Sequence, residues 1–191
     1  MTSETLSPTI QKADLTGTYT IDPSHSRFGF VARHAMVTKV RGSFNEFEGT
    51  LDVDGDDPTK SSAELVIQVA SIDTRNADRD AHLRSSDFFA MDEHPEIRFQ
   101  STGVELTDDE DVYRVTGDLT IRGVTKPVTF DLEFTGAAID PWGQTRIGFE
   151  GSTVVNRKDW GVSWNAALEA GGVLVSEKVT IEFEISAIKN S

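Results

Sequence analysis

The chain contains no cysteine, and this absence excludes disulfide bridges, thiol nucleophiles and thiolate metal sites. It also has no apolar run near the roughly 18–20 residues of a membrane-spanning helix, so we expect no transmembrane segment. Basic residues are scarce: 18 Lys and Arg stand against 32 Asp and Glu, which gives a net charge of −14. Because nucleic-acid binding requires a dense cationic surface, we expect no nucleic-acid partner.

Motifs for catalysis and cofactor binding are missing as well. There is no G-x-S-x-G turn for a nucleophilic serine, and neither G-x-G-x-x-G nor a P-loop to hold nucleotide phosphates. The four His residues form neither H-x-H nor H-E-x-x-H. The acidic turn at 52–56 has its glycine two positions too early for a calcium loop. We therefore predict no catalytic residue, no metal site and no cofactor.

The first 17 residues are polar and lack the basic flank and apolar stretch of a secretory signal. We predict a flexible tail over residues 1–17 and a single domain over residues 18–191, a length that suits one all-β domain. The same features lead us to expect a cytoplasmic protein.

The chain is rich in alternation of apolar and polar residues with a period of two, which is typical of strands that bury one face. Nine segments show this pattern: 18–22, 27–32, 46–53, 63–69, 96–102, 113–121, 128–134, 146–155 and 179–185. One apolar and one polar face favour antiparallel pairing. Eight or more such strands can hide their edges by closing, so we predict an all-β antiparallel barrel of at least eight strands. A two-sheet sandwich remains the alternative, since alternation does not separate the two.

Residues 76–92 interrupt the alternation. Asn76 or Asp78 could cap a helix, and Asp80 and Arg84 have the spacing of a helical ion pair. We predict a short helical insertion that covers part of the sheet or one end of the barrel.

Two stretches of this acidic chain, 24–45 and 119–130, are free of acidic residues. Their basic residues are Arg27, Arg33, Lys39, Arg41, Arg122 and Lys126. Such positive islands could meet an anionic headgroup. Charge alone favours a simpler interpretation, in which both stretches are turns with solvated cations.

Alternation does not reveal whether the barrel is full. An eight-stranded barrel can be filled by its own side chains or can hold one small ligand. The segment 79–82 followed by Phe88 and Phe89 could place a charged rim beside aromatic rings at a pocket mouth. It could also be a surface helix with core phenylalanines, and composition alone slightly favours this second interpretation.

Four segments closely resemble the YceI-like family. They are YTIDPSHSRFGFVARHAMVTKVRGSF at 19–44, SIDTRNADRDAHLRSSDFFAMDEHPEIRF at 71–99, GDLTIRGVTKPVTF at 117–130 and NRKDWG at 156–161. The similarity spans roughly residues 18–188. It implies a lipocalin-like barrel around an apolar tunnel for polyisoprenoids or other long-chain amphiphilic lipids. Many members of the family are exported with a signal peptide, and none is seen here.

Transferred by position, the resemblance together with the alternation implies a lipid site with an apolar wall and a polar mouth. The predicted wall residues are Phe28, Phe30, Phe44, Leu65, Ile67, Leu83, Phe88, Phe89, Phe99, Leu119, Phe130, Trp160 and Trp164. The predicted mouth residues are His34, Arg79, Asp80 and His82. The expected function is to bind, carry or store a long-chain isoprenoid, without enzymatic activity.

Two other functions stay open at this point. A hydrolytic or metal-assisted enzyme acting on a small apolar substrate would need His82, Asp80 and His34 to converge. A protein-binding module would have a filled barrel and no cavity. Edge strands could in addition pair two copies of the chain in a homodimer.

Overall fold

The computed structural model describes residues 10–168, 172 and 174–191. These residues form one antiparallel sheet with a short α-helix. The strands are β1 (Gly17–Ile21), β2 (Arg27–His34), β3 (Thr38–Phe44), β4 (Phe47–Val53), β5 (Ser62–Gln68), β6 (Ile72–Asp73), β7 (Glu96–Leu106), β8 (Val112–Ile121), β9 (Val124–Ile139), β10 (Thr145–Asn156) and β11 (Lys178–Lys189), and the helix is α1 (Ala77–Arg84).

Eight of these strands close into a barrel. Hydrogen bonding runs in the order β1-β4-β5-β7-β8-β9-β10-β11, and β11 pairs again with β1. Every neighbouring pair is antiparallel. This closure confirms the predicted barrel and eliminates the two-sheet sandwich.

On the side of β11 that faces away from β10, two different strands pair with it. Residues 187–189 pair with β1, whereas residues 180–184 pair with β2. β3 returns beside β2, and the short β6 pairs with the end of β3. The sheet therefore continues beyond the closed ring as β2, β3 and β6.

The turns between the strands gather at two ends of the barrel. The helix end comprises α1, the β2–β3 and β8–β9 turns and the described part of residues 157–177. The opposite end comprises residues 10–16 and the turns β4–β5, β7–β8 and β9–β10.

All nine predicted strand segments fall on strands of the structure. Six agree with the strand ends within two residues, whereas 96–102, 128–134 and 179–185 are four or five residues too short at one or both ends. β3 and β6 were not predicted. The interpretation of residues 24–45 as a turn is wrong, because most of this stretch forms the β2–β3 hairpin with Val40, Gly42 and Phe44 on one face. The stretch 119–130 is likewise two strands, with its turn at Arg122 and Gly123.

The predicted helical insertion is present as α1. The Asn76 side chain caps it by accepting a hydrogen bond from the Arg79 backbone N–H at 3.0 Å. The predicted pair between Asp80 and Arg84 is not formed. The Asp80 carboxylate instead accepts a hydrogen bond from the Thr74 backbone N–H at 2.9 Å, which ties the helix to the segment before it.

The N-terminal end of the described chain is packed, not free. Residues Lys12–Leu15 form a 3₁₀ turn, and the buried Leu15 belongs to a cluster with Tyr19, Leu51, Ile147 and Ala187. The Tyr19 hydroxyl donates a hydrogen bond to the Leu15 carbonyl at 2.8 Å. The predicted flexible tail is therefore wrong from residue 12 onward, and residues 1–9 lie outside the described residues.

No helix in the described part of the chain has the length and the apolar content needed to cross a membrane.

Candidate ligand cavity

A cavity of about 330 Å³ lies inside the barrel, and its wall is almost entirely apolar. Its volume falls within the range of about 300–1,000 Å³ that small-molecule sites occupy. Along β9 the wall residues are Val128, Phe130, Leu132 and Phe134. This is the inward row of the alternating pattern, so the period of two that closes the barrel also makes its interior apolar.

Aromatic rings support one another along this wall. Phe130 lies edge-on to Phe183 with 5.0 Å between ring centroids, and it is tilted against Phe99 at 5.7 Å. Phe28 lies edge-on to Phe47 at 4.7 Å. Such pairs are favourable beyond their buried area. They hold the rings at the periphery of the space.

Most of the predicted wall residues line this cavity. They are Phe28, Phe30, Phe44, Leu65, Ile67, Leu83, Phe88, Phe89, Phe99, Leu119, Phe130 and Trp160. Trp164 does not line the cavity, so its predicted place in the wall is wrong. Its ring packs edge-on to His82 at 4.7 Å and against Phe88 at 5.4 Å, so it lies behind the wall. That any of these residues binds a ligand stays a prediction.

The predicted polar mouth is not assembled, because its residues serve the local structure. Asp80 is only 8% exposed and binds Thr74. The Arg79 guanidinium donates hydrogen bonds to the Thr74 hydroxyl at 2.8 Å and to the Thr74 carbonyl at 2.6 Å. Both charged groups are therefore occupied in fixing the turn before α1, and neither lines the cavity.

The two histidines assigned to the mouth also lie apart from the cavity. His82 Nε2 is 2.9 Å from a carboxylate oxygen of Asp87, and the ring packs against Phe88. His34 is exposed at the end of β2, where its backbone bridges to Val175. The convergence of His34, Asp80 and His82 that an enzyme would need is absent from these contacts. Within residues 10–168, 172 and 174–191, no three His, Asp or Glu side chains are grouped as a metal site.

Arg157 is the polar wall residue at the helix end that the sequence interpretation missed. It is 7% exposed, and its guanidinium donates hydrogen bonds to four backbone carbonyls, those of Val162, Trp164, Val175 and Ser176. Burial lowers the pKa of Arg157, yet a guanidinium stays protonated in proteins. The side chain thus places a buried positive charge beside the apolar space and joins two parts of the connection between β10 and β11.

The segment that carries Arg157 is positioned by its own hydrogen bonds. Asn156 caps the 3₁₀ turn Arg157–Trp160 by accepting from the Lys158 N–H at 3.0 Å, and Gly161 ends it in the left-handed region with φ 76°. The buried Trp160 indole donates to the Leu119 carbonyl at 2.9 Å. The NRKDWG motif was the sequence signal for Arg157, but its pattern does not reveal which residue faces the cavity.

At the opposite end, Lys12 lines the cavity from the N-terminal turn. Its ammonium group is 3.1 Å from a carboxylate oxygen of Asp111 and lies over the Tyr113 ring at 5.5 Å from the centroid. Partial burial acts to lower the pKa of Lys12, but hydrogen bonds with Tyr113 and Asp111 raise it overall. Each end of the apolar space therefore carries one cationic side chain.

Comparison with known proteins agrees with this architecture. The family model described as a YceI-like domain matches residues 19–187. A UPF0312 protein of Staphylococcus epidermidis is 41% identical over 170 residues, which cover 88% of this chain and 95% of that protein. The crystal structure of BcnA from Burkholderia cenocepacia has a TM-score of 0.77 at 23% identity, covering 87% of this chain and 98% of BcnA.

A second solved structure is a polyisoprenoid binding domain from Saccharophagus degradans, implicated in plant cell wall breakdown. It has a TM-score of 0.70 at 17% identity, covering 90% of this chain and 98% of that domain. At these identities the two structures show a shared fold.

Proposed function

Since the chain belongs to the YceI-like family, we propose that it binds a long-chain isoprenoid or similar amphiphilic lipid inside the barrel and carries or stores it. The observation that carries this proposal is the cavity of about 330 Å³ with an apolar wall. The protein-binding alternative required a filled barrel, and this cavity argues against it.

Burial of a hydrocarbon tail supplies enough free energy for useful affinity. Each CH₂ group removed from water is worth ~0.8 kcal/mol, so about fifteen buried carbons contribute about 12 kcal/mol. Immobilising the ligand removes several kcal/mol of this gain. Micromolar binding is therefore reachable with tail contacts and few polar ones, and selectivity for tail length should be weak.

The ends of the cavity offer places for a headgroup. Arg157 supplies a buried guanidinium at the helix end, and Lys12 supplies an ammonium group at the other. Both would favour an anionic or carbonyl-bearing headgroup, such as a polyprenyl phosphate or a quinone, over a cationic one. In this proposal the tail lies along the aromatic wall, and one polar end meets one of these cations.

The test is direct. The protein is purified, extracted with organic solvent and analysed by mass spectrometry, and the delipidated protein is then titrated with geranylgeraniol and with geranylgeranyl phosphate. We expect a co-purified lipid and saturable uptake of one molecule per chain. An empty extract together with no uptake of either compound would refute the proposal. The cytoplasmic location and the homodimer stay predictions, which fractionation and analytical ultracentrifugation can check.

A further inference from the structure

The turn between β2 and β3 projects from the helix end and combines exposed apolar and basic side chains. We call Arg33, Met36, Val37, Lys39 and Arg41 the basic hairpin surface. Met36 is 62% exposed and Val37 is 75% exposed. The three basic residues are exposed as well, so all five side chains are open to solvent on one hairpin.

The hairpin has two faces with different surroundings. Phe30 and Ala32 of β2 line the cavity, whereas alternation places Arg33 on the outer face. On that face Arg33 lies directly opposite Lys39 across the strand pair. Like charges in this position destabilise a sheet. The local fold therefore gains nothing from this pair of cations.

Among the described residues, these cations lack the acidic partners that other cations of the chain have. Lower on the same strand Arg27 pairs with Glu182 at 3.6 Å, whereas Arg33, Lys39 and Arg41 have no carboxylate within 4.0 Å in the described part of the chain. Near the start of β11, the Glu177 carboxylate is already 2.8 Å from the Lys158 ammonium. On a chain of net charge −14, this is a local positive field.

The tip itself is apolar where a turn would normally be polar. Ala35 and Met36 have φ values of 51° and 62°, and the Val37 N–H donates to the His34 carbonyl at 3.1 Å. Turns of this kind usually take Asn-Gly. Turn geometry therefore does not account for exposed Met36 and Val37. Apolar residues flanked by Lys and Arg are the pattern of segments that lie in a membrane interface.

We propose that the basic hairpin surface docks the protein on an anionic lipid bilayer. Met36 and Val37 enter the boundary between headgroups and acyl chains, while Arg33, Lys39 and Arg41 face the lipid phosphates. Because the inner face of the same hairpin lines the cavity, docking brings the helix end of the cavity to the bilayer. Docking is argued from the surface alone, whereas a role in loading lipid rests on the proposed function.

Vesicle flotation tests the charge contribution. The full-length protein is mixed with vesicles of phosphatidylglycerol and phosphatidylcholine, or of phosphatidylcholine alone. Each basic residue near an anionic surface strengthens binding about fivefold, so the triple variant Arg33→Gln, Lys39→Gln, Arg41→Gln should bind anionic vesicles about a hundredfold more weakly. The control variant Lys60→Gln, Arg114→Gln, Lys189→Gln loses the same charge and should stay within about threefold of wild type.

A second pair of variants tests the apolar tip. Val37→Asp should weaken binding about tenfold or more, whereas Ile139→Asp should have little effect, because Ile139 is a similarly exposed β-branched residue (61%) at the opposite end. Equal binding to neutral and anionic vesicles, or an unchanged triple variant, would overturn the proposal. So would a wild-type protein that ignores vesicles but self-associates through this hairpin, or a triple variant that aggregates through the edge of β3.

The outcomes separate this proposal from the proposed function. Vesicle binding that disappears in the triple variant, in a protein whose cavity takes up no isoprenoid, would support docking and refute lipid carriage. Uptake of isoprenoid from detergent without any vesicle binding would do the reverse.

Discussion

Replacing Val128 by Trp should fill the cavity from its wall and exclude a lipid tail. Val128 lies on the inward row of β9 and lines the cavity, next to Phe130 along the same face. An indole projecting from this position would occupy part of a space of about 330 Å³. The variant therefore tests whether that space is where the ligand binds.

The size of the effect follows from the atoms displaced. The side chain of Trp exceeds that of Val by about seven non-hydrogen atoms, and each tail carbon kept from burial costs ~0.8 kcal/mol of binding free energy. Displacing about four to six carbons removes about 3–5 kcal/mol, which weakens affinity by roughly a hundredfold to a few thousandfold. The ligand-free protein should remain folded, because the ring enters space that no side chain fills.

Isothermal titration of delipidated protein with geranylgeraniol measures this loss, and thermal melting by circular dichroism checks the fold. Thr129→Trp is the matched control, since Thr129 is the adjacent, exposed residue on the outer face of β9. Val128→Phe serves as a milder version if Trp overpacks the wall. If the folded Val128→Trp protein bound the isoprenoid as tightly as Thr129→Trp, the tail could not lie in this cavity.

Three further predictions concern the residues that hold the barrel and its ends. Arg157→Met should lower the free energy of unfolding by about 2–4 kcal/mol in urea titration, since four backbone carbonyls lose a charged donor. The control Lys158→Met changes a surface residue and should cost under about 1 kcal/mol. Equal losses in the two variants would contradict the assigned role of Arg157. The hydrogen bond from Arg146 lowers the pKa of Asp22 below its value in the unfolded chain. The ionised Asp22 carboxylate therefore stabilises the fold above about pH 4, and this stabilisation is lost as pH falls further. The difference in unfolding free energy between wild type and Asp22→Asn should shrink on acidification, and a difference independent of pH would refute this. Trp160→Phe should cost about 1–2 kcal/mol through the lost indole hydrogen bond while isoprenoid affinity changes less than about threefold, because an aromatic ring still lines the wall.

The strand pattern could be predicted because each strand buries one face only. β9 and β11 show this most clearly, with their inward rows forming the cavity wall. β3 escaped prediction because exposed Lys39 and Arg41 dominate its short sequence and hide the inward row of Val40, Gly42 and Phe44. A strand with a cationic outer face and a cationic loop have the same composition. Only the observed pairing with β2 shows that this segment is a strand.

Whether the barrel is hollow and which groups the polar side chains bind could not be predicted, because local sequence does not contain this information. Whether an eight-stranded barrel is full depends on how side chains meet across its axis, which period-two alternation does not specify. Arg79 and Asp80 have the composition of a charged rim, but their partner is Thr74, and that contact depends on how the chain enters α1. Arg157 is the converse case: a charged residue in a surface-like motif becomes buried because four carbonyls converge on it.

The seam of the barrel joins segments that are synthesised at very different times. Tyr19 pairs with Lys189, and the other end of β11 pairs with β2. The ring therefore cannot close until residues 178–189 are available to pair with both β1 and β10. Such a long separation in sequence makes closure slow. Under the proposed function, a hydrocarbon tail already bound when β11 docks would be enclosed by the barrel without entering through either end.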